Sequence, residues 1–229
     1  MENQGLMQEL LNLLTEPYES YRTWQIYLEI FATIMGISSV IFSMRRNILV
    51  FPTGIISTLI YIYLLFNWGL YGDMLINFYY SSMSIYGWFV WSRSRVDEVH
   101  VGAEYMTKKE WFYALLLFLG SAILVLTIYY FRPVLSNGFD LSKVAESGFN
   151  YIWTDYIDTC TTGIFLVGMW IMARRKVENW LFWILGDLIS VPLYIVKGYA
   201  ITSFQYFIFT ILAIMGYMMW KKSIKSNKL

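Results

Sequence analysis

Cysteine and histidine each occur once, as Cys160 and His100, proline occurs four times, and only 14% of the 229 residues are charged. A lone cysteine cannot close an internal disulfide, and one cysteine with one histidine cannot build the familiar zinc frameworks, so neither a metal nor a redox cofactor is expected. Soluble domains carry nearer ~25% charged residues. With 58% hydrophobic and 20% aromatic residues in their place, the chain reads as an integral membrane protein. The net charge of +1 offers nothing to a nucleic acid. The first 23 residues lack a basic start, a long apolar core and a small-residue cleavage site, so no signal peptide is expected. A membrane enzyme needs clustered acids, histidines or metal ligands, and only scattered acids are present, so no enzymatic activity is expected. A retinal-type receptor needs a lysine inside a helix. Lys197 is the sole candidate and stands at the end of a span beside Gly198.

What is abundant is apolar sequence in lengths that cross a bilayer, about 20 residues for a helix. Seven such runs are read at 24–44, 48–66, 74–92, 111–131, 156–173, 179–196 and 199–220. Arg45 and Arg46; Arg93, Arg95, Lys108 and Lys109; Arg174, Arg175 and Lys176; and Lys221, Lys222, Lys225 and Lys228 all fall on alternate connections. Thirteen of the 17 Lys and Arg therefore lie on one side, which the positive-inside rule makes cytoplasmic. The C-terminus is expected inside and, with an odd number of spans, the N-terminus outside.

Shifting the chain by 129 residues lays Trp24 on Trp153, Tyr27 on Tyr156, Arg45 and Arg46 on Arg174 and Arg175, Gly69 on Gly198, Gly87 on Gly216 and Trp91 on Trp220, without a gap. The matches fall at turns, helix ends and anchors. The fold class expected is an all-α integral membrane protein of seven transmembrane helices, in which two three-helix repeats are joined by a linker helix, 3+1+3. Because an extra crossing follows the first triplet, both copies enter the bilayer in the same direction, as in SWEET-like carriers. The organisation expected is an extracytoplasmic segment 1–23, a first bundle 24–92, a loop, linker helix and external loop over 93–155, a second bundle 156–222 and a cytoplasmic tail 223–229.

Asp187 stands in the middle of the sixth run, "ENWLFWILGDLISVPLYIVKG", where charge is expensive, and intramembrane acids commonly mark a pathway. At helical spacing Trp180, Trp183 and Tyr194 share its face. An acid among large aromatics suits a ligand with an aromatic ring and either positive charge or donor groups. The alternatives are a structural bond from Asp187 to a neighbouring serine or asparagine, and Trp180 as an interfacial anchor. Helix 3 offers a second wall in Asn77, Ser81, Ser84 and Trp88 at helical spacing, although small serines also serve close helix packing, and Tyr80 is expected to stack a ring together with Trp183. Thr58 takes the place of Asp187 under the shift, and Gln205 adds an amide. Glu29 and Asp158 form a symmetric pair of acids, read as a gate or as structural bonds. Pro52 with Gly54 and Pro192 are expected to interrupt helices 2 and 6, as hinges or as ordinary kinks.

"IYGWFVWSR" together with "RRKVENWLFWILGDLISVPLYIVKG" resembles the Pnu family of bacterial vitamin transporters over about residues 24–222. The resemblance implies a carrier in the bacterial cytoplasmic membrane that lets nicotinamide riboside run down its gradient without a cofactor. A cytoplasmic kinase traps the product by phosphorylation, and the resemblance further implies a homo-oligomer, a trimer. In the family an asparagine usually stands where this chain has Asp187, a glutamine aligns with Asn77, and an asparagine with Ser84. These departures leave thiamine or riboflavin as alternative substrates. A proton-coupled transporter, with Glu29 or Asp158 carrying the proton, stands further off.

Overall fold

The computed structural model describes residues 22–67, 71–94, 96, 97, 100–136, 151–196 and 200–226. Its helices are α1 Thr23–Met44, α2 Val50–Asn67, α3 Tyr71–Ser92, α4 Lys108–Tyr130, the short α5 Arg132–Ser136, α6 Trp153–Ala173, α7 Asn179–Val196 and α8 Ala200–Ser226. All seven expected runs are therefore helical. Of these, α1, α2, α4, α6, α7 and residues Ser203–Lys225 of α8 are long and apolar enough to cross a membrane. The expected N-terminal segment and most of the 132–155 loop, with Arg95, Lys143, Lys197 and Lys228, lie outside the described residues.

Polarity is distributed for lipid. Ile30, Phe31, Ile34 and Ile37 of α1 and Leu115, Leu116, Leu119 and Ile123 of α4 are exposed, whereas Ser57, Ser84, Thr159, Thr161, Asp187 and Ser190 are buried. A bilayer rewards that inversion, because a polar side chain is cheaper against protein than against hydrocarbon.

Packing runs through two triplets. In the first, α1 lies on α2 and α2 on α3; in the second, α6 lies on α7 and α7 on α8. The cross contacts are reciprocal: α3 meets α6 and α8 meets α1, while α4 lies along α6. The contact at the basic end is equally reciprocal. Trp91 at the end of α3 donates its indole N–H to Met172 O, and Trp220 of α8 donates to Ser43 O, at 3.3 and 2.8 Å. Residues 43 and 172, like 91 and 220, are 129 apart. The two indoles also touch each other, with ring centroids 5.9 Å apart.

The turns after α1 and α6 repeat atom for atom. Arg46 N–H bonds Ser43 O and Asn47 N–H bonds Phe42 O; Arg175 N–H bonds Met172 O and Lys176 N–H bonds Ile171 O. This is the Schellman closure of a helix, which needs a left-handed residue and normally takes glycine. Here Arg46 and Arg175 take it, at φ 57° and 63°. A side chain in that region costs roughly 1–2 kcal/mol. Hydrogen bonds offset the cost: Arg46 Nη1 donates to Val101 O and Arg175 Nη1 to Gly102 O, each at 3.1 Å.

Residues 100–104 thus form a strap between the two turns, bridged to Asn47 on one side and to Lys176 on the other. The second side is reinforced by charge. Glu104 pairs with Arg175 at 2.8 Å and Lys176 at 3.0 Å, and Glu110 pairs with Arg174 at 2.9 Å and Lys176 at 3.2 Å. Thr107 caps α4, its hydroxyl accepting from Glu110 N–H while the Glu110 carboxylate accepts from Thr107 N–H. At the opposite end Arg132 grips the buried Asp155 through two hydrogen bonds of 3.0 Å, tying α5 to α6.

Both prolines behave differently from expectation. Pro52 is the third residue of α2, where a missing N–H costs nothing, and Pro192 sits within a continuous α7. Neither helix is interrupted; beside Pro192, Ser203 of α8 donates to Val191 O at 2.8 Å.

This packing can be tested at its glycines and at the strap. A methyl group on Gly216 would meet the Trp180 ring at 2.6 Å and one on Gly87 would meet the Phe51 ring, whereas Gly120 faces open space. Gly87→Ala and Gly216→Ala are expected to destabilise the detergent-solubilised protein by about 1–3 kcal/mol in thermal unfolding, with Gly120→Ala neutral or better. Equal melting of all three would refute the close packing. At the strap, partial burial pushes the Glu104 carboxyl up, but Lys176 and Arg175 outweigh that and hold it below the usual glutamate range. A carboxyl depressed by folding contributes stability above its unfolded pKa and loses it as pH falls through the folded value. Wild-type protein should lose more melting temperature than Glu104→Gln between about pH 5 and pH 3; parallel losses would detach Glu104 from the strap.

Candidate functional site

Between the triplets lies a cavity of about 330 Å³, within the size range of small-molecule sites. Its lining is drawn from paired positions. Gly36 and Phe165, Val40 and Met169, Ser43 and Met172, Gly54 and Trp183, Thr58 and Asp187, Tyr80 and Phe209, and Ser84 and Ala213 all line it, each pair 129 residues apart. The cavity therefore sits where the two triplets face each other, and the chemistry of its two sides differs.

The first triplet supplies small residues and hydroxyls. Ser39 donates to Val50 O, Ser57 to Ala32 O and Thr58 to Gly54 O, at 2.8, 2.8 and 2.9 Å. Each proton is spent on a backbone carbonyl, so these hydroxyls offer acceptor lone pairs to a ligand's donors. Ser84 is buried and lines the cavity without a hydrogen bond among the described residues. It can donate or accept.

The second triplet supplies aromatic rings. Trp183 stacks on Phe165 at 5.6 Å, Phe165 on Tyr206 at 6.1 Å and Tyr206 on Tyr194 at 5.1 Å, while Tyr80 of α3 approaches Trp183 at 6.4 Å. Trp180, 3% exposed, lines the same cavity and packs edge-on against Trp220 at 5.8 Å. It is part of the interior, not an interfacial anchor. Among the described residues Asp187, also 3% exposed, contributes the only ionisable carboxylate of the lining, and no hydrogen bond from them reaches it. A structural bond from Asp187 to a neighbouring serine or asparagine is therefore absent among those residues.

Glycine makes these two walls. Where α1 meets α2, Gly36 faces Ser57, and a methyl group on the glycine would stand 3.1 Å from the hydroxyl; the corresponding contact of α6 with α7 has Phe165 against Gly186. A second pair behaves the same way. Gly54 faces Ser39 in the first triplet, and Trp183 faces Gly168 in the second. Each contact keeps one glycine, but it has moved to the other helix, and the partner has grown from serine to an aromatic ring.

Of the site residues expected from sequence, Asp187, Trp183, Trp180, Tyr80, Ser84 and Thr58 come together around the cavity. Asn77 and Gln205 are not in its lining. Gln205 precedes the lining residue Tyr206, and the ~100° step of a helix turns it to an exposed position. Asn77 lies one turn from Tyr80, beyond the lining, and its counterpart under the shift is Tyr206. Glu29 and Asp158 also lie outside the lining. Asp158 accepts from Tyr129 of α4 at 3.2 Å, a bond between neighbouring helices. Sequence reasoning missed Phe165, Tyr206, Ser39 and Ser57. The shift carries a signal for the first, since Phe165 stands opposite a glycine in the other copy.

A helical membrane protein with a ligand-sized cavity between two triplets, and no clustered metal ligands among the described residues, belongs to the class of small-molecule transporters. The chain is a member of the nicotinamide mononucleotide transporter family, whose model matches residues 26–222. It is 26% identical over 217 residues to the nicotinamide riboside transporter PnuC of Escherichia coli strain K12, covering 88% of this chain and 87% of that one. It is 24% identical over 197 residues to the riboflavin/roseoflavin transporter RibM of Streptomyces davaonensis, covering 85% and 84%. The fold is that of the crystal structure of the vitamin B3 transporter PnuC, with a TM-score of 0.61 at 20% identity over 96% of this chain and 88% of the other.

Proposed function

We propose that this protein is a facilitative carrier of nicotinamide riboside across the bacterial cytoplasmic membrane. The observation that carries the reading is the two-sided cavity, with aromatic rings and a carboxylate on one wall and hydroxyl acceptors on the other. A flat aromatic ring bearing a sugar has the same division. Rings stack with Trp183 and Tyr80, while ribose hydroxyls and the carboxamide donate to Ser39, Ser57 and Thr58. The riboside fits better than the mononucleotide. A phosphate would enter a lining with no lysine, arginine or histidine among the described residues and with an acid already present.

The architecture in this reading is 3+1+3, with seven crossings. Helix α3, with Asn77 and its serines, is less apolar than α1, α2, α4, α6 and α7. Its outer face nevertheless exposes Leu75, Phe78, Ile85 and Phe89, as a lipid-facing helix does. Segments 24–92 and 156–222 form the two bundles, α4 links them, the basic end with the strap faces the cytoplasm, and the N-terminus lies outside. Rocking of one triplet against the other exposes the cavity to alternate sides. Trapping by a cytoplasmic kinase and a trimeric assembly are carried over from the family resemblance. Thiamine is the second reading, because it also joins an aromatic ring to a positive charge; riboflavin, a larger uncharged ring system, is the third.

Proteoliposomes containing the protein should equilibrate labelled nicotinamide riboside, and uptake should persist when the proton gradient is collapsed. Trp183→Ala is expected to weaken riboside binding about tenfold, as loss of a stacking ring does. Uptake that stops with the proton gradient would establish coupling, and riboside binding unaffected by Trp183→Ala would remove the aromatic wall from the site.

A further inference from the structure

We infer that Asp187 reads the charge of the ligand, so that the cavity accepts aromatic molecules with a fixed positive charge and discriminates against neutral molecules of the same shape. This deepens the proposed function and rests on it for the identity of the vitamin. The carboxylate is 3% exposed yet borders the cavity, no hydrogen bond from a described residue reaches it, and among the described residues the lining contains no lysine, arginine or histidine. The described arginines and lysines that form ion pairs do so elsewhere, in the strap and at Asp155. Around Asp187 the cavity offers Trp183, Tyr80 and Tyr206.

An ionised carboxylate in such a place is costly without a counter-charge. The aromatic faces beside it attract cations and supply none. A ligand cation completes the site, and a neutral ligand of equal size leaves the acid unmatched. The same geometry sets the ligand's orientation. In the other copy the equivalent residue is Thr58, whose hydroxyl is satisfied by Gly54 O of its own helix at 2.9 Å. Charge recognition is therefore one-sided: the cationic ring lies toward α7, and the hydroxyl-bearing part toward α1 and α2.

The test needs no disruptive variant. Reduction of nicotinamide riboside to its dihydro form removes the ring's positive charge and leaves the sugar and carboxamide in place. Calorimetric titration of purified protein with the riboside, the dihydro riboside, thiamine and riboflavin should give binding of the riboside at least about tenfold tighter than of its dihydro form. Asp187→Asn, which keeps the side-chain volume, should abolish most of that preference. Equal binding of the two ribosides by wild-type protein overturns the charge reading and leaves the vitamin assignment standing. Unchanged preference in Asp187→Asn also overturns it. Thiamine binding without riboside binding overturns the vitamin assignment and supports the charge reading. Binding of riboflavin alone, or of none of the four, overturns both.

Discussion

The reciprocal exchange of two tryptophans organises the molecule. Trp91 stands at the end of α3 and Trp220 in the last two turns of α8, and each bonds to a carbonyl at the end of the other triplet's first helix. An indole N–H buried without an acceptor is costly, so each triplet satisfies a group that the other would otherwise leave unpaired. Glycine makes room for the arrangement. Gly87 lies against Phe51 and Gly216 against Trp180, so that the aromatic residue opening the second helix of each triplet sits beside the third. Phe51, Trp91, Trp220 and Trp180 then form one continuous aromatic cluster, fully or almost fully buried, at the basic end of the cavity.

The strap follows from the same reciprocity. The strap meets the two turns in opposite senses: His100 pairs antiparallel with Asn47, and Glu104 parallel with Lys176. The strap cannot obey the symmetry, but the residues that hold it do. Arg46 and Arg175 accept the same strained backbone and reach the backbone of adjacent strap residues, Val101 and Gly102. That explains why arginine stands twice where a helix end would ordinarily choose glycine.

The helices were legible because a bilayer demands long apolar runs, and their bounds moved by only a few residues. The repeat was legible too: of the residues matched by the shift, Arg45, Arg46, Arg174 and Arg175 lie at turns and Trp91 and Trp220 in the aromatic cluster, where geometry leaves little choice, whereas Trp24 and Trp153 are exposed. Asp187, Trp183 and Trp180 were legible as a helical face interrupting an apolar run. Gln205 falls outside the lining because polarity alone does not give helical phase, and a neighbour in sequence is turned about 100° away, whereas Asn77, a full turn from Tyr80, lies beyond the lining. Ser39 and Ser57 were passed over because buried serine has two uses, close packing and ligand contact, and only the partner atoms distinguish them. The prolines misled for a local reason. At the start of α2 a proline is in its preferred place, and α7 accommodates one in its interior without ending.

Reciprocity also poses the cavity's central problem. Two identical triplets would build a cavity with equal walls, and aromatic residues at both Gly36 and Phe165 and at both Gly54 and Trp183 would fill the space between them. The sequence departs from symmetry by exchange. In the first triplet the helices approach through Gly36 with Ser57 and Gly54 with Ser39; in the second, through Gly186 with Phe165 and Gly168 with Trp183. Each contact retains a glycine, so the helices can still close, while the bulk of one wall is concentrated in rings and the other is left small and hydroxylated. A carboxylate placed on the ring side, with a threonine at its counterpart, completes the division. The cavity is thus anchored by what the copies share and given its chemical direction by where they differ.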